Sequence, residues 1–222
     1  MINEFLFFIQ IVIVTGIGVL SLKLGKEALI TLFCLQGILA NMLILKQITL
    51  FSLHVTATDV FSIGSILSLN LIQEYFGKET AQKAILINLA MTLFYLGITF
   101  LHSIFIPNSF DTMHGHYQNI FHYMPRIVLA SLLTATLVQY FDTYFFQFLQ
   151  NLFKQKYFTL RATISLILSQ IIDTCLFTVL GMYGIVASIT HLIIVSLVIK
   201  LITIFLVSFF IGFIRKFITS KS

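Results

Sequence analysis

The side chains best able to do chemistry lie in a stretch that is otherwise apolar. From residue 57 the chain reads Ala57-Thr58-Asp59-Val60-Phe61-Ser62-Ile63-Gly64-Ser65-Ile66-Leu67-Ser68-Leu69-Asn70-Leu71-Ile72-Gln73-Glu74-Tyr75-Phe76-Gly77-Lys78. Asp59, Ser62, Ser65 and Ser68 recur every three residues, and Asn70, Gln73 and Glu74 follow within two turns. Residues three and four apart share a helix face. A polar stripe can therefore run down one side while Ile63, Leu67 and Leu71 face elsewhere. In a bilayer that stripe must face protein or water, because lipid offers its donors and acceptors nothing. It is the candidate wall of a solute path.

Further along, Arg126, Gln139, Asp142, Gln170, Asp173 and Lys200 stand in equally apolar surroundings. At about 1.5 Å of rise per residue, Asp173 lies about 18 Å from Arg161 along its helix. Lys200 lies about 21 Å from the start of its own, by the same rise. Both fall near the membrane midplane, where an isolated charge costs at least ~3 kcal/mol. A Lys200–Asp173 ion pair is the economical expectation, either as part of a mechanism or as a structural lock between helices. Carboxylates and amides beside Phe and Tyr suit a flat, hydrogen-bonding heterocycle, with the ring held by stacking and its edge by donors and acceptors. The same polar groups could instead bond helix to helix, and Glu74, close to Gly77, could snorkel to the membrane surface.

The elements that position these groups follow from composition. The 222 residues are 59% hydrophobic and only 9% charged, against about 25% charged in a soluble domain. This is an integral membrane protein of the all-α class, one polytopic domain over residues 1–222. A span needs about 20 apolar residues. Seven segments qualify: about 4–22, 28–46, 57–77, 84–106, 126–150, 162–183 and 186–213. Residues 47–56 read as a short hairpin or re-entrant loop at the membrane surface. Residues 107–125, bounded by Pro107 and Pro125, form the longest polar connection. The N-terminus lacks a basic leader region and a small-residue cleavage site, so the first helix is expected to be retained.

Cation placement sets the orientation. One side holds Lys23, Lys26, Lys78, Lys83, Lys154, Lys156, Arg161, Arg215, Lys216 and Lys221, ten of the 13 basic residues. The other holds Lys46 and Arg126. The basic side is cytoplasmic, which puts the C-terminus inside and the loop 107–125 outside. The net charge of +5 is thus a topology signal and does not point to nucleic acid. Cys34 and Cys175 sit in apolar runs, which argues against a disulfide framework.

Other motifs carry less. Asp111, His114, His116 and His122 could ligate zinc, but their spacing matches no closed structural pattern and reads as a solvated His-rich loop. Gly16, Gly18, Gly181 and Gly184 suit close helix packing. Walker, H-E-x-x-H and G-x-S-x-G motifs are missing, so no metal, cofactor or enzymatic activity is expected, and any ATP dependence would come from a partner. Gln139-x-x-Asp142-Thr143 echoes Gln170-x-x-Asp173-Thr174. Each is preceded by an Arg and a Ser: Arg126 with Ser131, Arg161 with Ser165. Such echoes occur between the halves of secondary transporters.

Asn70-Leu71-Ile72-Gln73-Glu74-Tyr75-Phe76-Gly77-Lys78, with Ala81 and Ala84 beyond, resembles the Asp-x-x-x-Glu-x-x-Gly-Lys signature of the queuosine precursor transporter family, also labelled vitamin uptake transporters. The resemblance continues through Arg126, Ser131, Gln139, Asp142, Arg161, Ser165, Ser169-Gln170-x-x-Asp173-Thr174, Phe177 and Lys200, over residues 57 to 205. It implies an inner-membrane carrier of 7-deazaguanine bases, queuine or its precursors, with the first span added to a six-helix core. By position it implies Asn70, Glu74, Arg126, Gln139, Asp142, Gln170 and Asp173 as substrate contacts, to which the polar set itself adds Gln73. Asp173, Lys200 and Arg161 would serve as coupling or ion-pair residues. Asn70 stands where many relatives carry Asp. Protonation of Asp142, Asp173 or Glu74 is the coupling device expected of a secondary carrier. A substrate-binding subunit of an ATP-energised system, or a membrane enzyme, would be the other classes. The partners expected are a nucleobase-like solute and lipid; a homo-oligomer is compatible with the sequence.

Overall fold

The computed structural model describes the backbone of residues 2–44, 46–56, 58–183 and 189–219, with side chains except at 119, 121–124 and 210–219. Seven helices and one hairpin make up the described chain: α1 (Ile2–Leu24), α2 (Lys26–Leu43), β1 (Gln47–Leu50), β2 (Leu53–Thr56), α3 (Asp59–Phe76), α4 (Lys78–Ser103), α5 (His114–Leu152), α6 (Phe158–Met182) and α7 (Ile189–Thr219). Six of them contain runs long and apolar enough to cross a bilayer; α3 is the exception. The protein is a multi-pass membrane protein, with lipid-facing residues such as Phe94, Phe100, Leu133 and Phe205 exposed on its outside.

The exception is the centre of the bundle. Thirteen of the 18 residues of α3 are buried, the polar stripe and its apolar neighbours together. At 18 residues and about 1.5 Å per residue, α3 is roughly 27 Å long, close to the ~30 Å hydrocarbon thickness. It packs on every other helix of the bundle, α2 and α4 most extensively. Its polar residues lower its apolarity because protein, and not lipid, surrounds it.

Close approach depends on Gly64. A Cβ there would lie 2.7 Å from Val14 Cγ1 and 2.9 Å from Gln36 Nε2. One turn on, Ser68 Oγ donates to Gln36 Oε1 at 3.1 Å. The seam between α3 and α2 is thus closed by one missing methyl group and one buried hydrogen bond. Two tight reversals also use glycine. Gly25 (φ 113°) and Gly77 (φ 89°) each join two helices alone, in a backbone region that a side chain would strain.

Residues 47–56 form the expected hairpin, with Ile48 paired to Val55 and Thr49 to His54. Asn3 Nδ2 donates to Thr49 O at 3.1 Å, tying the hairpin to α1. The connection 107–125 is shorter than its polarity suggests, because helix α5 already starts at His114. The Asp111 carboxylate accepts from the amides of Met113 (2.8 Å) and His114 (3.0 Å), closing a local turn just ahead of the helix. Pro125 then lies inside the helix. The side chain of His122 falls outside the described residues; among the described ones no group of His, Cys, Asp or Glu is placed to hold a metal ion. Cys34 and Cys175 are free thiols.

Replacing Gly64 with Ala is expected to lower stability by about 1–3 kcal/mol, since the added methyl overlaps Val14. Gly97→Ala, where nothing lies within 4 Å, should be neutral or slightly stabilising. Thermal denaturation of both variants in detergent checks the contrast.

Candidate functional site

A cavity of about 140 Å³ opens among α2, α3, α4, α5, α6 and α7. Its size is comparable to the ~150 Å³ cavities that admit one aromatic ring. It reaches the hairpin through Thr56 and Thr58, and its walls carry Asp59, Ser62 and Ser65 of α3. From α5 and α6 come Gln139, Gln170, Asp173 and Phe177, and from α7 Ser196 and Lys200. Lys200 Nζ donates to Asp173 Oδ2 at 2.8 Å, with the lysine 7% and the aspartate 19% exposed. Asp59 is buried and near enough to interact with both charges. One lysine therefore serves two carboxylates, and acceptor capacity is left over.

Four carboxamides complete the lining: Asn41, Asn88, Gln139 and Gln170. Ser62 Oγ donates to Gln170 Oε1 at 3.4 Å and Asn88 Nδ2 to Gln139 Oε1 at 3.5 Å. Asn41 Oδ1, Ser65 Oγ, Asn88 Oδ1 and Gln170 Nε2 are buried with no hydrogen-bond partner. Leaving a buried polar atom unpaired costs about 1–3 kcal/mol. Both donors and acceptors are thus left unmet on one cavity wall. Asn41 and Asn88 did not stand out in the sequence. Each is a single amide in an apolar helix, and only that mismatch of polarity could have drawn notice.

The remaining sequence candidates lie away from this cavity. Arg161, fully buried, makes a bidentate bridge to Glu74: Nη1 to Oε2 at 3.0 Å and Nη2 to Oε1 at 2.8 Å. Gln150 Nε2 donates to the same Oε2 at 2.8 Å. Arg161 also reaches the carbonyls of Lys156 (Nε, 2.8 Å) and Gln155 (Nη2, 3.1 Å). These carbonyls are aimed by a turn in which Lys154, Gln155 and Tyr157 all have positive φ. Such left-handed residues each cost of order 1 kcal/mol, and the guanidinium holds them there. Glu74 is thus fastened inside the bundle, where its nearness to Gly77 had suggested a side chain snorkelling outward. Arg161 likewise leaves the set of loop cations.

Gln73 Nε2 donates to Thr143 O at 2.9 Å, joining α3 to α5. Asn70 is fully buried with neither amide atom partnered. Asp142, also fully buried, accepts from Ser165 Oγ (2.6 Å) and Ser169 Oγ (2.7 Å) on the same Oδ1. Arg126 Nη2 donates to Tyr183 O at 2.7 Å on an exposed surface. The structure therefore brings Gln139, Gln170, Asp173 and Lys200 to one cavity, and distributes Asn70, Gln73, Glu74, Asp142 and Arg161 toward the opposite end. The Asp59 and Glu74 ends of α3 are about 22 Å apart.

Residues 56–214 match the family described as "Putative vitamin uptake transporter". The chain belongs to that family of membrane transporters. Over 188 residues the transporter is 27% identical to the "Probable queuosine precursor transporter" of Bacillus subtilis (strain 168), a match that covers 82% of this chain and 80% of the relative. No solved structure matches it. The family match starts at the end of the hairpin, so α1 and α2 lie before it, yet α2 supplies Gly37, Ala40 and Asn41 to the cavity of the transporter.

Removing one partner of the Arg161–Glu74 bridge leaves a bare charge in the bundle, at a typical cost of 3–5 kcal/mol. Glu74→Gln and Arg161→Met should each lower folded yield and thermal stability sharply. The double variant should recover part of the loss, as read from size-exclusion profiles and melting curves.

Proposed function

We propose that this transporter is a secondary carrier that imports a 7-deazaguanine base serving as a queuosine precursor, and that the cavity above Asp173 and Lys200 is its binding site. The observation that carries this reading is the lining itself. Two carboxylates share one lysine beside four carboxamides, and several of these polar atoms are buried without partners. A deazaguanine has a planar ring, an edge of paired N–H donors, and a carbonyl. Asp59 or Asp173 takes the paired donors, as carboxylates do with forked N–H groups. Gln170 Nε2 or Lys200 Nζ donates to the carbonyl. Phe177 supplies a ring against which the base can stack. The name of the Bacillus subtilis relative agrees with this solute class.

With the lysine-rich connections placed in the cytoplasm, the hairpin end faces outward and the Glu74 end inward. The cavity then receives solute from outside, while the Arg161–Glu74–Gln150 cluster closes the inner end. Alternating access requires that this cluster open once the site is filled and the hairpin end has closed. Glu74 and Arg161 serve as gate residues, and Asn70, Gln73 and Arg126 hold the helices that move. The carrier works alone in the cell's inner membrane, without an ATP-hydrolysing partner, an enzymatic step or a metal.

The test uses a cell unable to make or import queuosine precursors. Expression of the chain with each base supplied separately should restore queuosine in tRNA. Asp173→Asn and Lys200→Met are expected to cut uptake at least tenfold at normal expression. Full uptake by Lys200→Met would remove the lysine from the mechanism. Purified protein in liposomes should also admit the base without ATP; a need for an added ATPase would refute the secondary-carrier reading.

A further inference from the structure

Among the described residues, four carboxylates lie inside the bundle, Asp59, Glu74, Asp142 and Asp173, against two cations, Arg161 and Lys200. Both cations are engaged. Arg161 is committed to Glu74 and two backbone carbonyls, and Lys200 to Asp173. Asp59 shares the field of Lys200. Asp142 has neither kind of compensation. It is 0% exposed, its Oδ1 accepts both serine hydroxyls, and its Oδ2 has no partner. An ionised carboxylate in that position would be a buried, unpaired charge, which proteins avoid at a cost of several kcal/mol. The asymmetry of its two oxygens matches a neutral acid. A carbonyl oxygen accepts two donors, and the other oxygen carries the hydrogen.

We infer that Asp142 is a proton-binding site, loaded in this conformation, through which the carrier couples solute entry to proton entry. Its place in the fold suits that role. Gln139, three residues earlier and about 4.5 Å along the helix, lines the solute cavity, and Gln170, next to Ser169, lines it too. Ser165 lies one turn from Arg161 on α6, toward the closed end. Asp142 therefore stands between the floor of the solute site and the bridge that seals the other end. The charged groups on the helices packed around it are Asp59 and Glu74 on α3, Lys78, Glu79 and Lys83 in the first turns of α4, where Lys78 Nζ lies 3.8 Å over the Tyr144 ring, and Arg161 and Asp173 on α6. Of these, only Arg161 sits within a turn of its serine partners and is positive. When the bridge opens, Arg161 loses Glu74 and becomes the counter-charge for an ionised Asp142.

The proton balance is simple. The Asp142 carboxylate takes one proton from water reaching it through the cavity, forming the Oδ2–H bond. That bond breaks when the opposite end opens, and the proton passes to water there with the solute. No other reactant is needed. Asn70, buried and unpartnered, lies three residues before Gln73, whose Nε2 donates to the carbonyl of Thr143 beside Asp142.

The inference rests on the carrier reading, and the experiment separates the two. Purified protein is reconstituted in liposomes and given a radiolabelled 7-deazaguanine base, with or without an acid-outside pH gradient. Wild type is expected to accumulate the base above equilibrium only with the gradient, and collapsing the gradient should return the ratio to one. Asp142→Asn, which mimics the protonated acid, should still bind the base yet lose gradient-driven accumulation. Wild-type accumulation indifferent to the gradient, or full accumulation by the variant, would overturn the proposal. So would a folded variant unable to bind the base, since Asp142 would then be a solute contact. Absence of exchange by wild type would sink the carrier reading itself. Should Asp142→Asn fail to fold, infrared spectroscopy of a Ser165→Ala, Ser169→Ala double variant decides. The carboxylic-acid carbonyl band present in wild type at neutral pH should move to higher frequency once its two donors are gone, and an unmoved band would refute the assignment.

Discussion

Hydrocarbon neither donates nor accepts a hydrogen bond, and that constraint organises this fold around α3. A helix with an acid, three serines, two carboxamides and a second acid cannot face lipid. It is surrounded by six other helices, and their inward faces carry what its polar groups need: Gln36 for Ser68, Gln170 for Ser62, the Thr143 carbonyl for Gln73, Arg161 for Glu74. Removing water as a partner makes each of these contacts obligatory in a way it would not be at a soluble surface. The exceptions are then informative. Among the described residues, the buried atoms left unpaired include Ser65 Oγ, both amide atoms of Asn70, Asp142 Oδ2 and one atom each of the cavity amides Asn41, Asn88 and Gln170.

How far the sequence revealed this depended on whether the relevant physics was local. Helix positions follow from apolar run length, and the hairpin from the mixed character of residues 47–56, so both were legible. So was the Lys200–Asp173 pair, because two opposite charges at midplane depth have few other ways of lowering their energy. Glu74 and Arg161 were not legible as partners. They are 87 residues apart, each lies near a helix end, and each alone looks like a side chain reaching for the membrane surface. Their pairing depends on the left-handed turn before α6, which is itself held by the guanidinium. The start of α5 was hidden because its first turns are polar and exposed and read as loop.

The echo between α5 and α6 shows the same division. Gln139 and Gln170 take equivalent places in the cavity wall, as their matched motifs suggest. The acids three residues on diverge: Asp173 meets Lys200 at the cavity, whereas Asp142 meets Ser165 and Ser169 of the other segment. The arginines diverge as well, Arg161 to Glu74 inside the bundle and Arg126 to a backbone carbonyl at the rim. Similar motifs on antiparallel neighbours point their side chains at different third parties, so spacing within a motif could not tell which acid would be paired with a base.

The two ion pairs differ in what can disturb them. Lys200–Asp173 borders the cavity, with Asp59 close by, so under the proposed function a donor edge entering it would compete directly with the lysine for the carboxylates. Arg161–Glu74 does not line that cavity and is reinforced by Gln150 and two carbonyls. Its opening has to come from a shift in helix packing, and a ligand shifts such an equilibrium only by as much as it prefers one state over the other. Reversing a hundredfold bias toward the closed state takes about 5.5 kcal/mol of differential affinity, more than a few hydrogen bonds to a small base supply, since each nets about 1 kcal/mol. A replacement counter-charge for Arg161 inside the bundle lowers that demand, and Asp142, one short step from its serine partners, is the acid positioned to provide it. In the mechanism proposed above, the Arg161–Glu74 bridge and Asp142 thus form a single exchange of partners around one arginine.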